Sequence, residues 1–217
     1  IDVHTHIGPP ARGWVIETVE ISEQVEDVIN TMDKLGITQM ITSPEEALFA
    51  NSLHGNIKTE NEIKAFKAYK DGIFGYLVFN PFYSDIMVPE IDNLFKSGFF
   101  IGFKMLSSYW DIPFTDKRYI PVWEYANKYH LPILLHTWDG PYSTPSLLKN
   151  IAPKYPNAKF LIGHSGGGNN GRMEAEELAL ANNNVYLEWC GSFLCSIPWE
   201  ETLERVGNNK VVFGSDT

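Results

Sequence analysis

Eight short apolar runs punctuate the 217-residue chain, at 1–6, 37–43, 74–80, 100–106, 133–138, 160–165, 185–190 and 211–216. They recur at intervals of roughly 25 to 35 residues, the length of a strand plus a returning helix. Most are apolar on both faces rather than alternating, the pattern of parallel strands covered on both sides. The intervening segments carry helix signals. Val25, Val28, Ile29, Met32 and Leu35 repeat at helical spacing behind a cap at Ser22, with Gly36 as a stop. Thr59 and Glu62 read as a capping box opening a helix through Ala65, Phe66 and Tyr69. Pro121, Pro145 and Pro198 stand where a first helical turn accepts proline, a further helix covers 173–180, and Gly207 closes the helix after Pro198. Strand–helix alternation seven times over, ending on an eighth strand, predicts a single (β/α)8 TIM-barrel domain over 1–217, with no eighth helix in the sequence.

Barrel enzymes draw their chemistry from the C-terminal ends of the strands. The first run, Asp2-Val3-His4-Thr5-His6, puts Asp2, His4 and His6 on one face, because strand side chains alternate with period two. Two histidines so placed can converge on one metal ion. Lys104 ends the fourth run, His136 the fifth, His164 the sixth and Asp216 the eighth. Any one of these has an ordinary reading, as a hydrogen-bonded core histidine or a helix-capping aspartate. Four of the six histidines and a carboxylate at the same ends of four strands do not. The other two, His54 and His130, fall in connecting segments, with His130 at a helix C-terminus, where the dipole favours a cation.

Composition narrows the function classes. A formal net charge of −10 argues against a nucleic-acid partner. No apolar run approaches the roughly 18 residues of a membrane span. The two cysteines, Cys190 and Cys195, are not in a Cys-x-x-Cys pair and read as reduced thiols of a cytoplasmic protein. The expected partner is a small molecule, and a homo-oligomer is allowed. The sequence opens without methionine, so it leaves a preceding signal peptide open.

Asp-x-His-x-His, a histidine after strand five, Gly-His after strand six and Gly-Ser-Asp after strand eight together resemble the metal-dependent amidohydrolase superfamily. Within it they resemble the amidohydrolase-2 branch, which includes aminocarboxymuconate-semialdehyde decarboxylase, resorcylate decarboxylases and related hydrolases. The resemblance runs the length of the chain and implies that His4, His6, His136 and Asp216 hold one divalent metal. His164 is then a neighbouring acid/base or a further ligand. Imidazole and carboxylate ligands suit zinc, with manganese as the alternative. In binuclear relatives a strand-four lysine is carbamylated and bridges two metals; in this branch it faces the substrate as a cation. The branch pattern Lys-x-His-Pro is absent here, where Lys104-Met105 is followed by Leu106-Ser107-Ser108. A lysine reaching out to solvent is the plain alternative for Lys104.

Other residues suggest what binds. Trp110, Trp138 and Trp189 fall at or just past strand ends, and Trp14 lies in the irregular stretch 8–20, a candidate lid or substrate wall. The loop from Gly166 to Arg172 offers amides and a guanidinium to a carboxylate, although a turn with a solvated arginine reads equally well. Lys104, Trp138 and Arg172 are therefore the substrate-binding candidates. Glu188 is unassigned, and Asp2 reads as support for the histidine pair rather than a ligand. The expected activity is metal-dependent hydrolysis of a small organic acid, ester, lactone or amide, with Asp216 and His164 moving protons. The alternative is decarboxylation of an unsaturated or aromatic acid. A metal-dependent nuclease would want an acidic group where Lys104 stands, and a non-catalytic barrel leaves the complete ligand set unexplained.

Overall fold

The computed structural model describes residues 1–8, 21–65, 72–190 and 199–217. Among them the chain runs β1 (Asp2–Ile7), α1 (Ile21–Leu35), β2 (Met40–Pro44), α2 (Glu45–Phe49), α3 (Ser52–Ala65) and β3 (Ile73–Val78). It continues through α4 (Ser84–Met87), α5 (Ile91–Lys96), β4 (Phe100–Met105), α6 (Ile120–Tyr129) and β5 (Pro132–His136). It ends with β6 (Lys159–Gly163), α7 (Asn169–Ala181), β7 (Val185–Trp189), α8 (Trp199–Val206) and β8 (Val211–Phe213). Each expected strand is present, and the eight follow one another in chain order in one sheet. The chain forms two compact units, Ile1–Ile101 with Thr217, and Gly102–Asp216.

In the first unit β1 pairs parallel with β2, Thr5 opposite Thr42 and His6 opposite Ser43, and β2 with β3. The strands are buried on both faces, as continuous apolar runs require: Ile73, Tyr76, Leu77 and Val78 of β3 are all sealed. Helix α1 turns Val25 and Met32 inward, and Gly36, at φ +69°, ends it. Leu35, the last residue of the expected apolar stripe, is instead exposed. The capping box at Thr59 is corrected. Helix α3 begins seven residues earlier, where Asn51 Oδ1 accepts the His54 amide at 3.0 Å, and Thr59 is a buried interior residue. An asparagine three residues before an amide made the stronger cap. From α3, the Asn56 amide closes the end of β3, donating to Val78 O at 2.9 Å and accepting its N–H at 3.1 Å.

In the second unit β5 and β6 run in register from Pro132–Lys159 to His136–Gly163, and β7 carries β8 with Trp189 opposite Phe213. The core between strands and helices includes Phe103, Leu135, Phe160 and Trp123, with the Trp123 and Phe160 rings 5.7 Å apart. Between β5 and β6 the alternation breaks: the connection holds 3-10 turns at Pro145–Leu148 and Ala152–Lys154 and no α-helix. Pro145, Pro153 and Pro156 deny that stretch the amides and φ freedom of a longer helix. Asn184 replaces the missing order, its amide nitrogen shared among the carbonyls of Ala152, Tyr155 and Ala158 at 3.0 to 3.1 Å. Helix α7 starts at Asn169, four residues before the expected Met173. His130 ends α6 as expected, in the left-handed region at φ +58°. Ser22 as a side chain, the loop at 9–20 with Trp14, and Phe66, Tyr69, Cys195 and Pro198 lie outside the described residues. No described helix is long and apolar enough to cross a membrane.

The entry to α6 shows how one carboxylate organises a turn. Asp116 Oδ1 accepts the Arg118 amide at 2.9 Å, and the same carboxylate takes the guanidinium through two bonds of 2.8 Å. Those side-chain bonds hold the Asp116 carboxyl down at about 2, from 3.8. A folded-state value below the unfolded one stabilises the fold only above the unfolded value, and the gain is lost as pH falls through both. The pair is partly exposed, so the ionic part is small and the cap dominates. Asp116→Ala is therefore expected to cost about 1 kcal/mol near neutral pH. Urea unfolding should show the gap between wild type and variant narrowing as pH is lowered from about 4 to about 2.

Candidate active site

The first unit supplies a histidine pair. Alternation along β1 puts His4 and His6 on one face, ring centroids 5.3 Å apart and a nitrogen of each within 4.8 Å of the other. His4 is fully buried, and Asp2 lies beneath it, its Oδ1 accepting the His4 amide at 3.1 Å. Asp2 thus holds the main chain that carries the pair. The His6 ring is oriented by Nδ1, 3.3 Å from Ser43 O and 4.0 Å from Glu45 Oε1. A carbonyl only accepts, so Nδ1 carries the proton and Nε2 the lone pair, the tautomer by which histidines ligate metals. The His6 amide donates to the carbonyl of Thr217 at 2.6 Å.

The second unit supplies a cluster around His164. Its ring Nε2 lies 2.9 Å from His136 Nδ1; its Nδ1 lies 2.9 Å from Cys190 Sγ and 3.8 Å from Asp216 Oδ2. The strands explain the convergence. His136 is the last residue of β5, paired with Gly163 of β6, so His164 follows one step beyond. There the main chain leaves the sheet through two left-handed residues, His164 at φ +60° and Ser165 at φ +45°, and Asp216 is likewise left-handed at φ +59°. Such conformations in non-glycine residues collect at functional sites. Thr137 Oγ1 braces the bend by donating to Gly163 O at 2.6 Å and accepting from the Gly166 amide at 3.0 Å.

Glu188 of β7 and Cys190 just past its end complete the cluster, and neither was assigned a site role from the sequence. Glu188 is fully buried and its Oε2 accepts the His164 amide at 2.9 Å. Burial pushes its carboxyl up; His164, through charge and that amide bond, and the Lys104 charge pull it down, and Asp216 pushes it up again. Cys190 is a buried, unbridged thiol against the His164 ring. Both belong to an apolar run whose inward face had no sequence marker. The usable signal was their spacing, since residues two apart share a face and both are polarisable or polar.

The substrate candidates separate. Lys104 is only 1% exposed, which removes the reading of a lysine reaching out to solvent; its charge acts on Glu188 instead. Trp138 lies parallel to the His136 ring at 6.1 Å, and Tyr109, half exposed and unmarked in the sequence, meets the same His136 ring edge-on at 5.2 Å. Trp110 and Trp189 are core residues, the latter packed edge-to-face on Trp199 at 4.4 Å. Arg172 is not brought to the His164 cluster. Its guanidinium is committed to Glu176 at 2.7 Å and to Thr202 at 3.3 Å, in a network that Arg205 joins across α7 and α8. The glycines before it answer to packing. A Cβ on Gly166 would meet Gly171 O at 2.1 Å, and one on Gly167 would meet the Trp138 ring at 2.8 Å.

Each unit carries donors of the kind that suit a divalent cation of borderline hardness: the His4 and His6 imidazoles in the first, and the His136 and His164 imidazoles with the Asp216 carboxylate in the second. Parallel strands following one another in chain order define the (β/α)8 class of barrel. The comparisons agree. The family profile described as amidohydrolase matches residues 1–217. This chain belongs to the amidohydrolase family. Its members are hydrolases or decarboxylases. Among solved structures it is similar to an uncharacterised TIM-barrel protein of Bordetella bronchiseptica, at 14% identity and TM-score 0.71, covering 99% of this chain and 85% of that one. It is also similar to a probable 2-pyrone-4,6-dicarboxylic acid hydrolase of Acinetobacter baumannii with citric acid bound, at 15% identity and TM-score 0.70 over 99% and 82%. A third is 5-carboxyvanillate decarboxylase of Sphingomonas paucimobilis, at 13% identity and TM-score 0.68 over 99% and 87%. The fold is a TIM barrel. No curated protein matches the chain.

Gly167, at φ +72°, is where the loop presses on the aromatic wall. Gly167→Ala is expected to destabilise the protein by about 1–3 kcal/mol, from strain at positive φ. Trp138 should shift as well, because the added methyl enters its ring. Thermal unfolding together with tryptophan fluorescence checks both.

Proposed function

We propose that the protein is a metal-dependent hydrolase of a small organic acid, ester, lactone or amide, with decarboxylation of an unsaturated or aromatic acid as the second reading. The observation that carries this is the His164 imidazole, 2.9 Å from His136 and 3.8 Å from Asp216, an acid/base group next to two candidate ligands. His4, His6, His136 and Asp216 would hold one divalent ion, zinc or manganese, as the family pattern implies. When bound, that ion supplies Lewis acidity and lowers the pKa of adjacent water.

The chain's own residues do the rest. In hydrolysis Asp216 accepts the proton of the attacking water, and His164 returns a proton to the leaving oxygen or nitrogen as its bond to the acyl carbon breaks. In decarboxylation His164 delivers its proton to the carbon that loses carbon dioxide. Lys104, buried and cationic, offers a counter-charge to a substrate carboxylate, and Trp138 offers a flat wall to a planar ring. Arg172 has no part in this reading, given its commitment to Glu176. A reduced, buried Cys190 suits a cytoplasmic setting.

Both readings concern substrates of the kinds named for the similar structures: a pyrone dicarboxylate lactone and carboxylated phenols. The test is to offer these to the metal-supplemented protein in oxygen-18 water. Label in the organic product without gas release identifies the hydrolase; carbon dioxide release with no label in the organic product identifies the decarboxylase. His164→Asn is expected to lower kcat by about 100- to 10,000-fold while retaining the metal. Full turnover in that variant would remove His164 from the chemistry, and a wild type that binds no divalent ion would end the proposal.

A further inference from the structure

His164 and Ser165 are consecutive non-glycine residues in the left-handed region, which such residues rarely hold without support. The support comes from one residue of β7. Glu188 Oε2 accepts the His164 amide at 2.9 Å, and the Glu188 main-chain carbonyl accepts the Ser165 hydroxyl at 2.8 Å. Both residues of the bend are therefore tied to Glu188, one through its side chain and one through its backbone. Two positions further along the same face, Cys190 touches the His164 ring. A left-handed residue at a strand end turns its amide away from the sheet ladder, so a buried amide there needs a side-chain acceptor. A carboxylate, which only accepts, matches that need.

We propose that Glu188 is a positioning residue: by latching the His164 amide it fixes the left-handed bend and so aims the imidazole at His136. This rests on the reading of His164 as the acid/base group, but the latch itself is a property of the main chain. It also differs from the plain alternative, in which Glu188 serves only as the buried counter-charge of Lys104 and His164. A counter-charge role requires a full negative charge. A latch requires only an acceptor oxygen in the same place, which glutamine keeps and leucine lacks.

The experiment labels the histidines of the full chain with nitrogen-15 and records their amide and ring signals by NMR, with no substrate needed. His54 and His130, remote from the cluster in sequence, serve as internal references. Glu188→Leu is expected to displace the His164 amide and ring signals and the His136 ring signals, leaving the references in place. Glu188→Gln, which removes a charge but keeps the acceptor, is expected to shift the His164 amide slightly while leaving it slow to exchange with solvent and the His136 ring signals at wild-type positions. His164 signals unmoved in Glu188→Leu, even with a lowered unfolding temperature, would overturn the latch. So would a rapidly exchanging His164 amide with displaced His136 ring signals in folded Glu188→Gln, which is the counter-charge result. If Glu188→Leu does not fold, Glu188→Gln decides alone by the same criterion. Failure of the functional reading would show separately, as loss of turnover or metal binding in the wild type.

Discussion

A buried imidazole with partners on both ring nitrogens is the point on which the second unit depends. His164 lies against His136 on one side and Cys190 on the other, with Asp216 just beyond. Each partner comes from a different strand end, so the arrangement is only as good as the register of β5, β6, β7 and β8. That register is set by apolar residues packed out of water directly beside the site residues, such as Leu135, Ile162 and Leu187. The strain at His164 is local, and the bonds that hold it come from Thr137, just past the end of β5, and Glu188 on β7.

The first unit follows the same logic with fewer parts. Period-two alternation on β1 does the placing, while Asp2 and Ser43 do the orienting. Neither needs a loop. Side chains on strands rather than loops are held with small positional error. Loops then contribute what can vary, such as the Tyr109 and Trp138 rings flanking His136.

The strands and the strand-end histidines were legible in the sequence because burial on both faces and a repeat of strand plus helix leave a strong pattern. Three things were not. The missing helix between β5 and β6 was masked by Pro145, which reads equally as a first-turn proline and as the start of a 3-10 turn. The true cap of α3, Asn51, competed with a nearby Thr59–Glu62 match, and burial of Thr59 shows why local motif alone misled. Glu188 and Cys190 were invisible as site residues because sequence does not say which face of a fully buried strand looks inward. Arg172 shows the converse: a cation beside a glycine loop suggested a ligand, whereas Glu176 one helical turn away already claimed it.

The proposed centre uses imidazole and carboxylate groups alone, with His164 held apart as the proton carrier. X-ray absorption on the zinc-loaded protein tests it most directly. The account predicts a first shell of nitrogen and oxygen only, at about 2.0–2.2 Å. A sulfur at about 2.3 Å would mean that Cys190 binds the ion. That result would contradict the account, because the thiol that rests against His164 would then belong to the metal.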